Sequence, residues 1–418
     1  PETLRSSIWS LLRNRAYIAV RGISWTEPRE QPSTLEQTKL DACLSVSQGL
    51  ALIDLIRAAD FQARHLRRAL RHGDRERVIV ALLNEAAFAA IMGDERRYAF
   101  VFSKASALAG DTQDSYLVGM SAYCECVAAF NFGRWPKSYA CCETALRLLP
   151  ETGRAVAHET TILRLFKGWD LCMLGRLAEV LDHMPRWLDD ARERGDRLAE
   201  SCLAGTVLSL AWLAKGDVEV VREAVNGAVR EWRIPGYQFQ HWWWAQSNLF
   251  ASFYAGDATA AYDEIERAWP QLSASRLLRC LPVRIQALES RAQAALLLAG
   301  HDRAQAAQQL QRARRFAKRL ALQPATYAKS GAQLLDAQLA FVHGRTDEAI
   351  AHLRACVRSF DELSMELHAA VSRLELGKLI GGDEGDAMRA DAETWMRGQQ
   401  IANSSRMAAT LAPGFYPA

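Results

Sequence analysis

A glycine followed by a polar residue recurs along this chain at Gly93, Gly133, Gly175, Gly216, Gly256, Gly300 and Gly344, with gaps of 40, 42, 41, 40, 44 and 44 residues. Gly73-Asp74 precedes the series and Gly381-Gly382-Asp383 closes it. Between the glycines the chain is rich in alanine, leucine, arginine and glutamate, which favour helix, and sustained alternation of the strand type is absent. Glycine ends a helix in the left-handed conformation at no steric cost, and a polar residue after it caps the next helix. A period near 40 residues with two helices per unit predicts an all-α solenoid of stacked helical hairpins, because neither helix of a hairpin buries its apolar face alone.

That reading places hairpins near 76–109, 113–149, 153–194, 196–233, 237–271, 274–321, 324–362 and 364–401. The array therefore spans 76–401, with a tail at 402–418. Ahead of it, 1–23 reads as an amphipathic helix with Ile8, Trp9, Leu12, Ala16 and Tyr17 on one side. Residues 24–34 form a Pro-containing linker, and 35–75 a helical lead-in hairpin. A chain of 418 residues beginning at Pro1 is expected to be a piece of a longer protein, with 1–23 as its joint to upstream domains.

The unit at 335–360, LDAQLAFVHGRTDEAIAHLRACVRSF, resembles a tetratricopeptide (TPR) repeat. Small Ala337 stands at a close helix crossing, Phe341 follows, Gly344 makes the turn, and Ala349, Leu353 and Cys356 form the stripe of the second helix. Gly133, Ala145 and Pro150 match in another unit, as do Ala261, Ile265 and Ala268 in a third; Val180 and Val221 replace the expected alanine elsewhere. The resemblance implies a right-handed superhelix. Three further stretches, at 56–70, 236–257 and 395–415, resemble the C-terminal region of large bacterial eukaryotic-like serine/threonine kinases that carry a STAND-type (AAA-like) ATPase module. That wider resemblance implies a regulatory arm that restrains its own ATPase and kinase domains or recruits a protein or peptide partner.

No catalytic chemistry travels with the resemblance. The chain has no G-x-x-x-x-G-K-S/T phosphate loop, VAIK lysine, HRD loop, DFG or GxSxG elbow, and His158-Glu159 opens no HExxH. We expect no catalytic residues, no cofactor and no metal site. Cys124 and Cys126, two apart on a helix, point opposite ways, and none of the nine cysteines forms a CxxC pair. Reduced thiols inside apolar patterns, with no signal peptide and no membrane-length run, predict a cytoplasmic protein. The net charge of +3, from 51 basic and 48 acidic residues, argues against a coat for nucleic acid.

Two surfaces remain as candidates. Taking Gly256 as a TPR turn puts Trp243, Gln246, Phe250 and Phe253 on the stripe that lines the concave face, with Trp242 and Trp244 to either side. The same register selects Tyr123 and Phe130 before Gly133, and Leu165 and Trp169 before Gly175. This stripe is either a groove for a peptide, an amphipathic helix or an apolar small molecule, or the self-packed interior of the superhelix. It lacks the lysines and arginines that clamp a terminal carboxylate. Arg64, Arg67, Arg68 and Arg71 form one basic run, and Arg312, Arg315 and Arg319 another. Each is either a solvated helix face or a dock for an acidic partner.

Overall fold

The computed structural model describes residues 3–28, 33–205 and 208–416. Among them the secondary structure is twenty-one α-helices and three short 3-10 turns, with no strand, so the fold is an all-α array of helical hairpins. No helix is long and apolar enough to cross a membrane among these residues.

The chain divides into two compact units, Pro1–Phe132 with Lys137–Phe166, and 133–136 with 167–418. The first contains α1 (Leu4–Arg21), α2 (Thr34–Leu50), α3 (Leu55–His72), α4 (Arg75–Met92), α5 (Glu95–Ala109) and α6 (Ser115–Asn131), with most of α7 (Trp135–Leu148) and the first half of α8 (Ala157–Met173). The second continues through α9 (Leu177–Glu193), α10 (Arg197–Ala204), α11 (Ser209–Ala214), α12 (Val218–Glu231), α13 (Phe239–Ala255) and α14 (Ala258–Ala274). It is completed by α15 (Leu281–His301), α16 (Ala306–Ala321), α17 (Thr326–Val342), α18 (Thr346–Glu362), α19 (Glu366–Ile380), α20 (Gly382–Gly398) and α21 (Ser404–Leu411). Consecutive helices pack on one another, α4 on α5, α15 on α16, α17 on α18 and α19 on α20, as hairpins must.

The turn chemistry explains the period. At Gly256, φ is +75°, and the amide of Asp257 reaches back to the carbonyl of Ser252 at 2.9 Å. The Asp257 side chain then accepts from the amide of Ala260 and starts α14. This six-to-one bond is the Schellman closure of a helix end. It recurs from Asp94 to Ala89 and from Arg345 to Ala340, both at 2.9 Å, and from Arg176 to Leu171 at 2.8 Å. Gly133, Gly175, Gly216 and Gly344 all have φ between +71° and +85°.

The glycine code also fails in both directions. Gly300 lies inside α15, which runs through it to His301 and is ended by Asp302. Conversely, Ser364 (φ +55°) and Gln400 (φ +61°) turn the chain without glycine. The polar residue after the glycine caps the next helix at Asp94 and Asp257, whereas Arg176 and Arg345 make no side-chain cap. The TPR-like crossing holds: Ala337, Ala349, Leu353 and Cys356 are all fully buried where α17 meets α18.

Two segments differ from expectation. On α1 the apolar side faces solvent, with Trp9 74% and Val20 91% exposed, and the buried residues are Ser7, Ser10, Asn14 and Ile18. Asn14 and Ser10 bond to polar partners on α3, which is what draws that face inward. The expected tail is no tail: Met407, Ala408, Thr410, Leu411, Ala412 and Phe415 are buried within the second unit.

Candidate functional site

The three tryptophans of α13 are interior. Trp242 is fully buried, and its indole N–H donates to Oε1 of Gln286 at 3.0 Å. Trp243 lies 5.5 Å from the Phe239 ring and meets Trp169 edge-on at 6.5 Å. Trp244 makes an edge contact with Trp232 at 6.2 Å. It fits because residue 205 is glycine, where a Cβ would come within 2.8 Å of its Cδ1.

All eight residues expected to line an open groove are buried. Gln246, Phe250, Phe253, Trp169 and Trp243 sit in the second unit, and Tyr123, Phe130 and Leu165 in the first. Phe130 stacks flat on Phe166 with centroids 4.0 Å apart, and burial pushes the Tyr123 phenol well above its ordinary pKa. The stripe is therefore packed interior and not an open concave surface. In the second unit the physical reason is visible: α13 is flanked by α12, α14 and α15, and α21 covers it from a further side.

The covering segment is the chain's own C-terminus. Beyond α20, Gln400 reverses the chain and the amide of Ala402 donates to the carbonyl of Ala214 at 2.7 Å. Asn403 caps α21, accepting from the amide of Arg406 at 2.9 Å. The helix packs on α13 and α19, and the turn Pro413–Phe415 packs on α15 and α17. The segment thus crosses the first helices of four successive hairpins.

Two buried carboxamides hold its main chain. Nε2 of Gln293 donates to the carbonyl of Leu411 at 2.9 Å, and Oε1 of Gln338 accepts from the amide of Gly414 at 2.8 Å. The Phe415 ring lies 5.1 Å from that of Phe341. Gly414 approaches so closely that a Cβ there would lie 2.9 Å from the Cβ of Gln338. At the end, the Tyr416 hydroxyl donates to Oε1 of Glu375 and accepts from Nζ of Lys378, both at 2.6 Å. Burial raises the pKa of Glu375, against the pull of Lys378. An apolar cavity of about 220 Å³ continues beside Pro413, between Leu296, Leu297 and Val342.

Sequence reasoning missed these contacts, although a signal existed. The register that selected Phe250 and Phe253 before Gly256 selects Gln338 and Phe341 before Gly344. Side-chain carboxamides that bond main-chain groups capture a segment by its backbone, while the apolar sockets read its side chains.

The two basic runs fare differently. Arg312 on α16 is tied to Glu266 at 2.7 Å and bonds the Tyr262 hydroxyl, with Arg315 and Arg319 exposed beyond it. Arg64, Arg67, Arg68 and Arg71 on α3 line one recess in the first unit. Among the described residues no cluster of three or more His, Cys, Asp or Glu is placed to hold a metal ion. No protein-family model matches the chain, and no curated protein matches it.

Proposed function

We propose that this chain is a protein-interaction and regulatory module of TPR-like hairpins. In this reading the second unit receives a short apolar helix followed by Pro-Gly-Phe. The observation that carries the proposal is the capture of main-chain groups at Leu411 and Gly414 by Gln293 and Gln338. Residues 404–416 fill the site in cis, and a partner segment of the same chemistry competes for it. The resemblance to kinase–ATPase signalling proteins supports the regulatory half of the reading, with release of the segment coupled to neighbouring domains of a longer polypeptide. The apolar cavity beside Pro413 favours a second reading, a receptor for an apolar small molecule.

The test uses the full chain and a labelled peptide of residues 400–416. Phe415→Ala weakens the cis segment, and Gly414→Ala forces it away from Gln338. Both variants bind the peptide at least about tenfold more tightly than wild type, and adding Gln338→Leu removes about tenfold again, as expected for a buried hydrogen bond. Hydrogen exchange shows whether 404–416 has detached. If the segment detaches in both variants and the peptide still does not bind, the reading is wrong.

A further inference from the structure

The recess on α3 in the first unit carries a charge arrangement that helix stability does not explain. Arg64, Arg67, Arg68 and Arg71 stand three and four residues apart on one helical face, so each has like-charged neighbours, which disfavours the helix. Arg13 reaches the same recess from α1, and His72 closes its rim. Only part of this charge is met. Arg64 lies 2.9 Å from the fully buried Asp60, an ion pair by distance without hydrogen-bond alignment. Arg68 pairs with Glu36 at 3.1 Å, a carboxylate that Lys39 also claims at 2.7 Å. Five guanidiniums thus face two carboxylates, and no partner among the described residues meets Arg13 or Arg71.

The cationic heads are held in place from behind. Arg64 donates to Oγ of Ser10 at 2.7 Å and Arg67 to Oδ1 of the buried Asn14 at 3.0 Å. Arg67 also lies over the Tyr17 ring at 4.7 Å, and Arg64 over Phe61 at 5.1 Å. These contacts explain why α1 turns its polar residues inward. They fix guanidinium planes around a cavity of about 280 Å³ whose floor reaches Cys43 on α2. That volume is small for a whole drug-sized ligand and suits one anionic group of a larger molecule.

We propose that this recess binds a phosphate-class oxyanion, with Arg13 and Arg71 as its free donors and Arg64, Arg67 and Arg68 as its fixed wall. Planar guanidiniums bind phosphate through paired hydrogen bonds, and several converging on one anion offset their mutual repulsion. The bound species is a free phosphate or polyphosphate, or a phosphorylated side chain; the recognition chemistry is shared. This inference concerns the first unit and stands independently of the peptide reading for the second.

Calorimetric titration of the full chain with inorganic phosphate, pyrophosphate and phosphoserine tests it. Saturable binding of one anion per chain is expected, weakening as salt is raised. Arg13→Gln and Arg71→Gln each reduce affinity about tenfold, as loss of a charge-assisted hydrogen bond does, with the melting temperature unchanged because neither arginine has a structural partner. Tightest binding of pyrophosphate or phosphate assigns a free ligand, and tightest binding of phosphoserine a modified side chain. Failure of all three to bind saturably, or wild-type affinity in the Arg13→Gln/Arg71→Gln double variant, overturns the proposal.

Discussion

Replacing Trp243 by alanine separates an interior stripe from a binding surface. Trp243 is 4% exposed and contacts the rings of Phe239 and Trp169. A large aromatic side chain buries up to about 250 Å², which at ~25 cal/mol per Å² bounds the loss near 6 kcal/mol. Measured aromatic-to-alanine losses in cores run about 3–5 kcal/mol, below that bound because the unfolded chain already buries some surface and neighbouring side chains move in to fill part of the cavity. We take about 4 kcal/mol as the expected loss. For a unit of this size each kcal/mol shifts the midpoint by roughly 2–4 °C, so thermal melting followed by circular dichroism should fall by roughly 8–16 °C. Trp9→Ala is the internal control: at 74% exposure it should stay within about 0.5 kcal/mol of wild type. A Trp243→Ala chain that melts with wild type refutes the packing argument and returns this residue to a surface.

Three further outcomes follow from burial. Ala349 is fully buried at the α17–α18 crossing, so Ala349→Leu should overpack it and lower stability by about 1–3 kcal/mol in urea unfolding; an unchanged midpoint means the register is wrong. Burial lowers the pKa of His65 and of His368 to about 4. The unfolded chain, titrating near 6.5, then binds more protons between about pH 4 and 6.5, so stability falls as pH drops through that window, by up to roughly 3 kcal/mol per imidazole. His368→Gln should flatten this acid limb, and an identical acid midpoint in the variant would count against the buried neutral imidazole. Burial pushes the thiols of Cys202, Cys280 and Cys356 up to about 12, and Cys141 alone of the nine cysteines is half-buried. An aromatic disulfide reagent at pH 8 should therefore titrate one thiol quickly in the folded chain, lost in Cys141→Ser; several fast thiols would mean that the helices open readily.

What the sequence by itself determined is what local chemistry controls. Helix propensity, a left-handed glycine and the six-to-one bond behind it act within a few residues, so the hairpins and most turns were legible from the spacing of Gly93, Gly133, Gly175, Gly216, Gly256 and Gly344. The same locality made Gly300 misleading, because a glycine inside a helix resembles one that ends it, and hid Ser364 and Gln400, which adopt positive φ without glycine. The tertiary structure alone decided which faces are covered. Periodicity shows that Trp243, Gln246, Phe250 and Phe253 share surroundings, and it does not show that α21 arrives from more than 150 residues away to lie on their helix. Likewise the run on α3 announces its charge, while Arg13 joins it only because Ser10 and Asn14 draw the polar side of α1 inward. Such pairings depend on which distant surfaces complement one another, and backbone preference within a helix carries no record of that.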